Sequence, residues 1–193
     1  MNKIVVFCGS SKGFNSVYAN QTKLIGELLA KKNIGLVYGG GKVGLMGILA
    51  DAMINAKAEV IGVIPDLLRQ EEVAHKKITQ MIVTNKMSTR KVEMSKLVDG
   101  YLILPGGFGT LDELFEALTL GQLGIEKKPI AILNINGYFD FSLKQLDVMV
   151  KEGFLKQKNK DMLLVSDNAE ELLNLMENYT APDFGKIIDK VIK

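Results

Sequence analysis

The 193 residues contain one cysteine, Cys8, and one histidine, His75. A lone cysteine excludes an internal disulfide and fits a reducing cytosol. One Cys and one His exclude a Cys/His zinc site within the chain, so no metal is expected. An excess of charge of one sign is also missing. The 24 basic and 22 acidic residues leave a net charge of +2, which gives no electrostatic case for a nucleic-acid polymer as partner. No apolar run approaches the ~18–20 residues that span a bilayer, so no membrane association is expected. The opening MNKIVVFCGS lacks the length and the small-residue cleavage site of a secretory signal, and a cytoplasmic protein is the expectation. There is no low-complexity tract and no break in composition. Residues 1–193 therefore read as a single domain, long enough for a sizeable core.

What is present is an alternation of strand-length apolar runs with segments of helical period. Ile4–Cys8, Ile34–Tyr38, Glu59–Ile64 (stopped by Pro65), Thr79–Thr84, Tyr101–Leu104 and Ile130–Asn134 read as strands. Asn15–Lys32, Gly44–Ala56, Lys86–Leu97, Leu111–Gln122, Phe141–Glu152 and Ala169–Asn178 read as helices, with Lys186–Lys193 as a short last one. Ile4–Cys8, Ile34–Tyr38 and Ile130–Asn134 are apolar throughout rather than alternating, as parallel strands covered on both faces are. The β-α order then predicts a doubly wound, mostly parallel α/β sheet of the Rossmann-like kind.

In such a sheet ligands bind at the C-terminal ends of the strands. Three strands end there in small-residue turns: 8–13 (Cys-Gly-Ser-Ser-Lys-Gly), 39–44 (Gly-Gly-Gly-Lys-Val-Gly) and 105–110 (Pro-Gly-Gly-Phe-Gly-Thr). Converging on one edge, they would offer backbone N–H groups to a phosphate, with Gly9, Ser10, Gly40 and Gly41 as candidate contacts. Gly39–Gly44 also fits the letters of a dinucleotide fingerprint, with Glu59 about 20 residues on. The context argues against NAD. The motif follows the second strand, and Glu59 precedes its strand instead of ending it. Lys42 is followed by Val43, which excludes a Walker A loop.

The stretch LPGGFGTLDELFE, Leu104 to Glu116, carries the chemistry. Thr110 and Glu113 have capping-box spacing, but that leaves Gly106, Gly107 and Gly109 unexplained. At 100° per residue Asp112, Glu116 and Thr119 share one helix face with Glu113 at its margin, and Leu111, Leu114, Phe115 and Leu118 form the buried one. A first-turn carboxylate is expected to be held ionised by the helix dipole. A carboxylate beside an anion-binding turn suits a bipolar ligand. A nucleoside monophosphate gives its phosphate to the N–H groups, while its C1′ becomes cationic as the glycosidic bond breaks.

The run Pro105–Glu113 is identified as the P-G-G-x-G-T-x-x-E marker of the Lonely Guy family of cytokinin-activating phosphoribohydrolases. The resemblance extends over residues 3 to 150 through Phe7–Ser11, Leu36–Gly47, Gly62–Pro65, Arg90–Lys91 and Leu123–Asp140. It implies hydrolysis of an adenosine-type 5′-monophosphate to free base and ribose 5-phosphate, with no cofactor. It implies Arg90 and Glu113 as the essential pair. Substrate binding is implied at Glu72, Arg90, Lys91, Gly106, Gly107, Phe108, Gly109, Thr110, Leu111, Asp112, Glu113 and Thr119. It also implies a homodimer with the site near the subunit interface. Ser88 and Leu120 depart from the family's usual histidine and tryptophan. Relatives long labelled lysine decarboxylases share the motif, but no pyridoxal phosphate lysine signature is present.

Each residue also has a plainer reading. Arg90 fits a surface i,i+3 pair with Glu93. His75 fits a capping or surface role, Cys8 packing, and Lys12 and Lys42 solvated side chains. Met46, Met53, Met87 and Met94 fit core positions, with Met87 placed to line a base pocket. The alternative function is a mononucleotide sensor or carrier that binds without cutting.

Overall fold

The computed structural model describes residues 1–69 and 74–182. Its strands are β1 (Lys3–Phe7), β2 (Gly35–Tyr38), β3 (Val60–Pro65), β4 (Gln80–Thr84), β5 (Tyr101–Ile103), β6 (Ile130–Leu133) and β7 (Leu163–Ser166). Its helices are α1 (Ser16–Lys31), α2 (Gly44–Asn55), α3 (Asp66–Arg69), α4 (Met87–Lys96), α5 (Phe108–Gln122), α6 (Asp140–Lys151), α7 (Gln157–Lys160) and α8 (Ala169–Glu177), with a 3-10 turn at Ile135–Gly137. The strands form one seven-stranded sheet in the order β4-β3-β2-β1-β5-β6-β7. Every adjacent pair is parallel.

The two-residue repeat of the strands divides the core. Ile4, Val6, Cys8, Leu36 and Tyr38 pack with Ile25 and Leu29 of α1, Leu49 and Met53 of α2 and Leu172 of α8. Val5, Phe7 and Val37 point the other way, to Met94 of α4 and Leu114 and Ala117 of α5. β1 and β2 are buried on both faces, which is why their sequences carry no polar alternation.

Four expectations shift. Pro65 does not stop the third strand but belongs to it, paired with Thr84. β7 was not foreseen: it is an edge strand, only half buried, after the lysine-rich α7. α5 begins at Phe108, three residues before the expected start. Its buried stripe is Thr110, Leu114, Ala117 and Gly121, and Phe115 faces outward. The expected helix Lys186–Lys193 lies outside the described residues.

Succession along the sheet runs from β1 to β4 on one side and restarts at β5 on the other. The crevice between the ends of β1 and β5 is the topological switch point, where an open α/β sheet binds its ligand.

Candidate active site

The glycine turns do converge at that crevice. Gly9 N–H donates to Pro105 O at 2.9 Å across the switch point, and Gly9 O accepts from Leu45 N–H at 3.1 Å and Met46 N–H at 3.4 Å. The turns after β1, β2 and β5 are thus tied through one residue. Gly44 has φ +63, and a Cβ there would collide with the Ser10 backbone. A Cβ at Gly106 would collide with Thr110. Beside the joined turns lies a cavity of about 340 Å³ lined by Ser10, Lys12, Tyr18, Gly106, Gly107 and Tyr138, among others.

The capping box is not formed. The residue preceding α5 is Gly107, without a side-chain cap, and Thr110 is a buried residue inside the helix. Leu111 N–H already donates to Gly107 O, so the N–H groups before it are the ones a helix start leaves without an intrahelical acceptor. A Cβ at Gly107 or Gly109 would meet nothing within 4 Å. Neither glycine has a positive φ. Protein packing therefore does not require these two glycines, and their bareness leaves the helix end open to a ligand. Phe108 between them is almost fully exposed, and Leu111 is half buried.

Glu113 sits in the second turn of α5. Its Oε1 accepts from Arg90 Nη2 at 3.1 Å, and each of the two side chains is 11% exposed. The surface pair Arg90–Glu93 does not form; Glu93 pairs with Lys96. Burial pushes the Glu113 carboxyl up to about 7, Arg90 and Lys91 pull it down, and Asp112 and Glu116 add to the rise. The expectation of a dipole-stabilised anion is thus reversed. No acid lies in the first turn of α5, and desolvation outweighs the cations around Glu113. Lys91 bridges Asp112, at 3.0 Å, and Glu116. Burial works to lower its ammonium, but hydrogen bonds to Glu116 and Asp112 prevail and hold it above the ordinary lysine range.

Other candidates fall away from this centre. Gly40 and Gly41 are buried: Gly40 O accepts from His75 N–H at 2.8 Å, and Gly41 pairs with Ala74. His75 is a clasp. Its Nδ1 accepts from Lys77 N–H, which leaves the ring proton on Nε2, 3.2 Å from Asp51 Oδ1. Cys8 is buried, and burial, reinforced by the charge of Glu113, pushes its thiol far up, so it is no nucleophile. Thr119 donates to Phe115 O and lines a separate hollow of about 210 Å³ between α5 and α6. Glu59 pairs with Lys3 at the opposite end of the strands, which removes the NAD reading. Lys42 is exposed. Met53 and Met94 are core residues, Met46 is half buried, and Met87 is exposed on the first turn of α4. Glu72 lies outside the described residues. Among the described residues no group of three or more His, Cys, Asp or Glu is placed to hold a metal ion.

Tyr138, which no motif marks in the sequence, also belongs to this edge of the sheet. Its hydroxyl donates to Gly106 O at 2.6 Å, and its ring meets Tyr18 edge-on above the cavity. The signal was the Asn-Gly pair after β6, a fourth turn at the same edge of the sheet, where Asn136 and Gly137 both have positive φ.

Residues 46–176 match the family model described as possible lysine decarboxylase. The chain is 38% identical over 190 residues to the cytokinin riboside 5'-monophosphate phosphoribohydrolase LOG2 of Arabidopsis thaliana, covering 98% of this chain and 89% of that one. With LOG7 of the same plant, which bears the same description, it shares 40% over 190 residues, covering 98% and 87%. The molybdenum cofactor binding protein from Rippkaea orientalis superposes with a TM-score of 0.68 at 18% identity over 99% of this chain and 97% of that one, a likeness of fold alone. Identity of the depth seen with LOG2 and LOG7 over nearly the whole chain, joined to an intact Pro105–Glu113 run, means that the chain belongs to the LOG family of cytokinin riboside 5'-monophosphate phosphoribohydrolases.

Proposed function

We propose that the protein hydrolyses the N-glycosidic bond of AMP or an N6-modified (cytokinin-type) adenosine 5′-monophosphate, releasing the free base and ribose 5-phosphate. The observation that carries this is the buried Arg90–Glu113 pair one turn inside a helix whose N-terminus is stripped of side chains. The 5′-phosphate takes the free N–H groups at the start of α5, with Ser10 across the crevice; the Gly9 N–H is already given to Pro105 O and holds the turns together instead of the ligand. The C1′–N9 bond breaks with its electron pair leaving to the purine, which takes up a proton from solvent. Ionised Glu113 faces the cationic C1′, orients a water and accepts the proton that the water loses as its oxygen bonds to C1′. A carboxyl raised to about 7 is more basic than an ordinary one, which suits it to that step. Arg90 holds the carboxylate in place and favours its ionised form.

A Schiff-base lysine needs a lowered pKa, and Lys91 has the reverse. Lys91 is therefore unsuited to that role. We place the enzyme in the cytoplasm as a homodimer. Exposed Val92 on α4 and Phe108 and Phe115 on α5 support a second copy covering this side, which sedimentation at micromolar concentration measures. No described helix is long and apolar enough to cross a membrane.

The test is product analysis with AMP and, separately, N6-isopentenyl-AMP. Wild type should release base and ribose 5-phosphate, and Glu113→Gln should lose about 10³-fold in rate while still binding nucleotide. Near-wild-type turnover by the variant would sink the carboxylate mechanism. Saturable binding of both nucleotides without base release would favour the sensor or carrier reading.

A further inference from the structure

Hydrogen bonds alone do not hold the Arg90 guanidinium. Among the described residues Nη2 donates to Glu113, and Nε is buried without an acceptor. Shape must supply the rest. Along β2, Leu36 and Tyr38 face the α1–α2 layer, and Val37 faces α4 and α5. Position 39 continues the direction of Val37 and so aims at α4, the helix that carries Arg90. The residue there is glycine. A Cβ at that position would stand 2.7 Å from Arg90 Nη2 and 3.0 Å from Met46 Sδ. Gly40 and Gly44 have φ of +76 and +63, conformations that favour glycine in themselves. Gly39 has no positive φ, so its φ does not call for glycine. The guanidinium is what requires the missing side chain.

We infer that Gly39 is a positioning residue for the hydrolysis: its bare Cα is the seat on which Arg90 lies to reach Glu113. This rests on the function proposed above for its kinetic consequence, but not for its geometry. The atom in the way is the far end of a flexible side chain, so alanine at 39 displaces the arginine rather than the backbone. Glu113 then stays buried and loses its cation.

The experiment follows Gly39→Ala, Arg90→Gln, the double variant and Gly35→Ala. Gly35 lies in the same strand, and a Cβ there meets Glu59 Oε2 at 3.0 Å, Lys3 Cγ at 3.1 Å and Asn2 O at 3.6 Å but no atom of Arg90, so it serves as the control. The first readout is the titration of the Glu113 carboxyl by carbon NMR, which needs no turnover. It should move upward in Gly39→Ala in the same direction as in Arg90→Gln, and stay put in Gly35→Ala. The second is steady-state kinetics. Gly39→Ala should lose tenfold or more in kcat with KM within threefold, and should cost nothing further beside Arg90→Gln. An unmoved Glu113 titration, or losses that multiply in the double variant, overturns the proposal. Should Gly39→Ala fail to fold, it is made in an Arg90→Ala background, where the obstructing atom is gone. Recovery of a folded protein there supports the seat, and an equal defect in both backgrounds overturns it. An inactive wild type with the expected NMR behaviour would refute the hydrolase reading and leave the seat standing.

Discussion

Replacing Glu113 by glutamine should cut turnover about 10³-fold and also stabilise the fold, increasingly so as the pH rises. Burial carries this carboxyl from its ordinary 4.5 up to about 7 in spite of the neighbouring guanidinium. A group with a raised folded value binds its proton more tightly folded than unfolded. Its stabilising contribution is complete below pH 4.5 and is lost as the pH rises through 7. Glutamine is the neutral isostere, so the variant stands at every pH where the wild type stands only with Glu113 protonated. At about 1.4 kcal/mol per pH unit, the variant should be more stable by about 3 kcal/mol at pH 8, about 2 at pH 6 and under about 1 at pH 5. The side chain is only 11% exposed, so solvent screening removes little of this. For a chain of this length the gain at pH 8 corresponds to a Tm about 6–12 °C higher. Thermal melts of both proteins at pH 5, 6 and 8, followed by circular dichroism, read it directly. A variant that melts at or below the wild type at pH 8, or whose advantage is the same at pH 5 and pH 8, would refute the account of Glu113 as a desolvated carboxyl.

Two further outcomes follow from the same geometry. With ionised Glu113 as the base, kcat/KM should rise with pH through about 7 and level off above it, and Arg90→Gln should move that limb upward, because the guanidinium is the first of the two cations that lower the carboxyl; a pH-rate series checks this, and a limb that stays or moves down counts against it. Gly109→Ala fills a position inside α5 where a Cβ meets nothing, so it should stabilise the fold by about 0.5–1 kcal/mol in melts while raising KM for the nucleotide tenfold or more, and an unchanged KM would remove the helix start from the binding site.

The sheet was legible because β1, β2 and β6 are buried on both faces, which writes an uninterrupted apolar run into the sequence. β7 was not, although Met162–Val165 is an apolar run as long as β6, because so short a run between polar segments does not by itself distinguish a strand from a piece of helix. The pairing of Arg90 was ambiguous for a different reason. Glu93 lies three residues away on the same helix, whereas Glu113 lies on another element, and a local rule cannot rank the two. The family motif pointed to Glu113, and the bare Cα proposed above as a seat at the end of β2 leaves the room the guanidinium occupies to reach it, while Glu93 pairs with Lys96. The protonation of Glu113 was misjudged because dipole stabilisation is a property of position in a helix, while desolvation is a property of the tertiary fold.

The early start of α5 makes both halves of the site possible. Had the helix begun at Leu111, Glu113 would stand in its first turn, ionised by the free N–H groups and pressed against the phosphate that those groups attract. Two anions would then compete for one helix end. Starting at Phe108 places Glu113 five residues, about 7.5 Å, along the axis from the first helical N–H. That is roughly the reach of a ribose 5-phosphate, so phosphate and C1′ can meet the N–H groups and the carboxylate at once. The same displacement carries Glu113 to the level of the buried layer, where burial raises it to about 7 and Arg90 can approach from α4. A helix opening on Gly107, Phe108 and Gly109 is weak by propensity, with a glycine in a helix costing about 1 kcal/mol against alanine. Any stronger start, with a side chain at 107 or 109, would cover the N–H groups that the ligand needs. On the proposed function, the helix is suboptimal at its end and at its buried acid for one reason: a bound nucleotide would supply the missing anion and the developing cation.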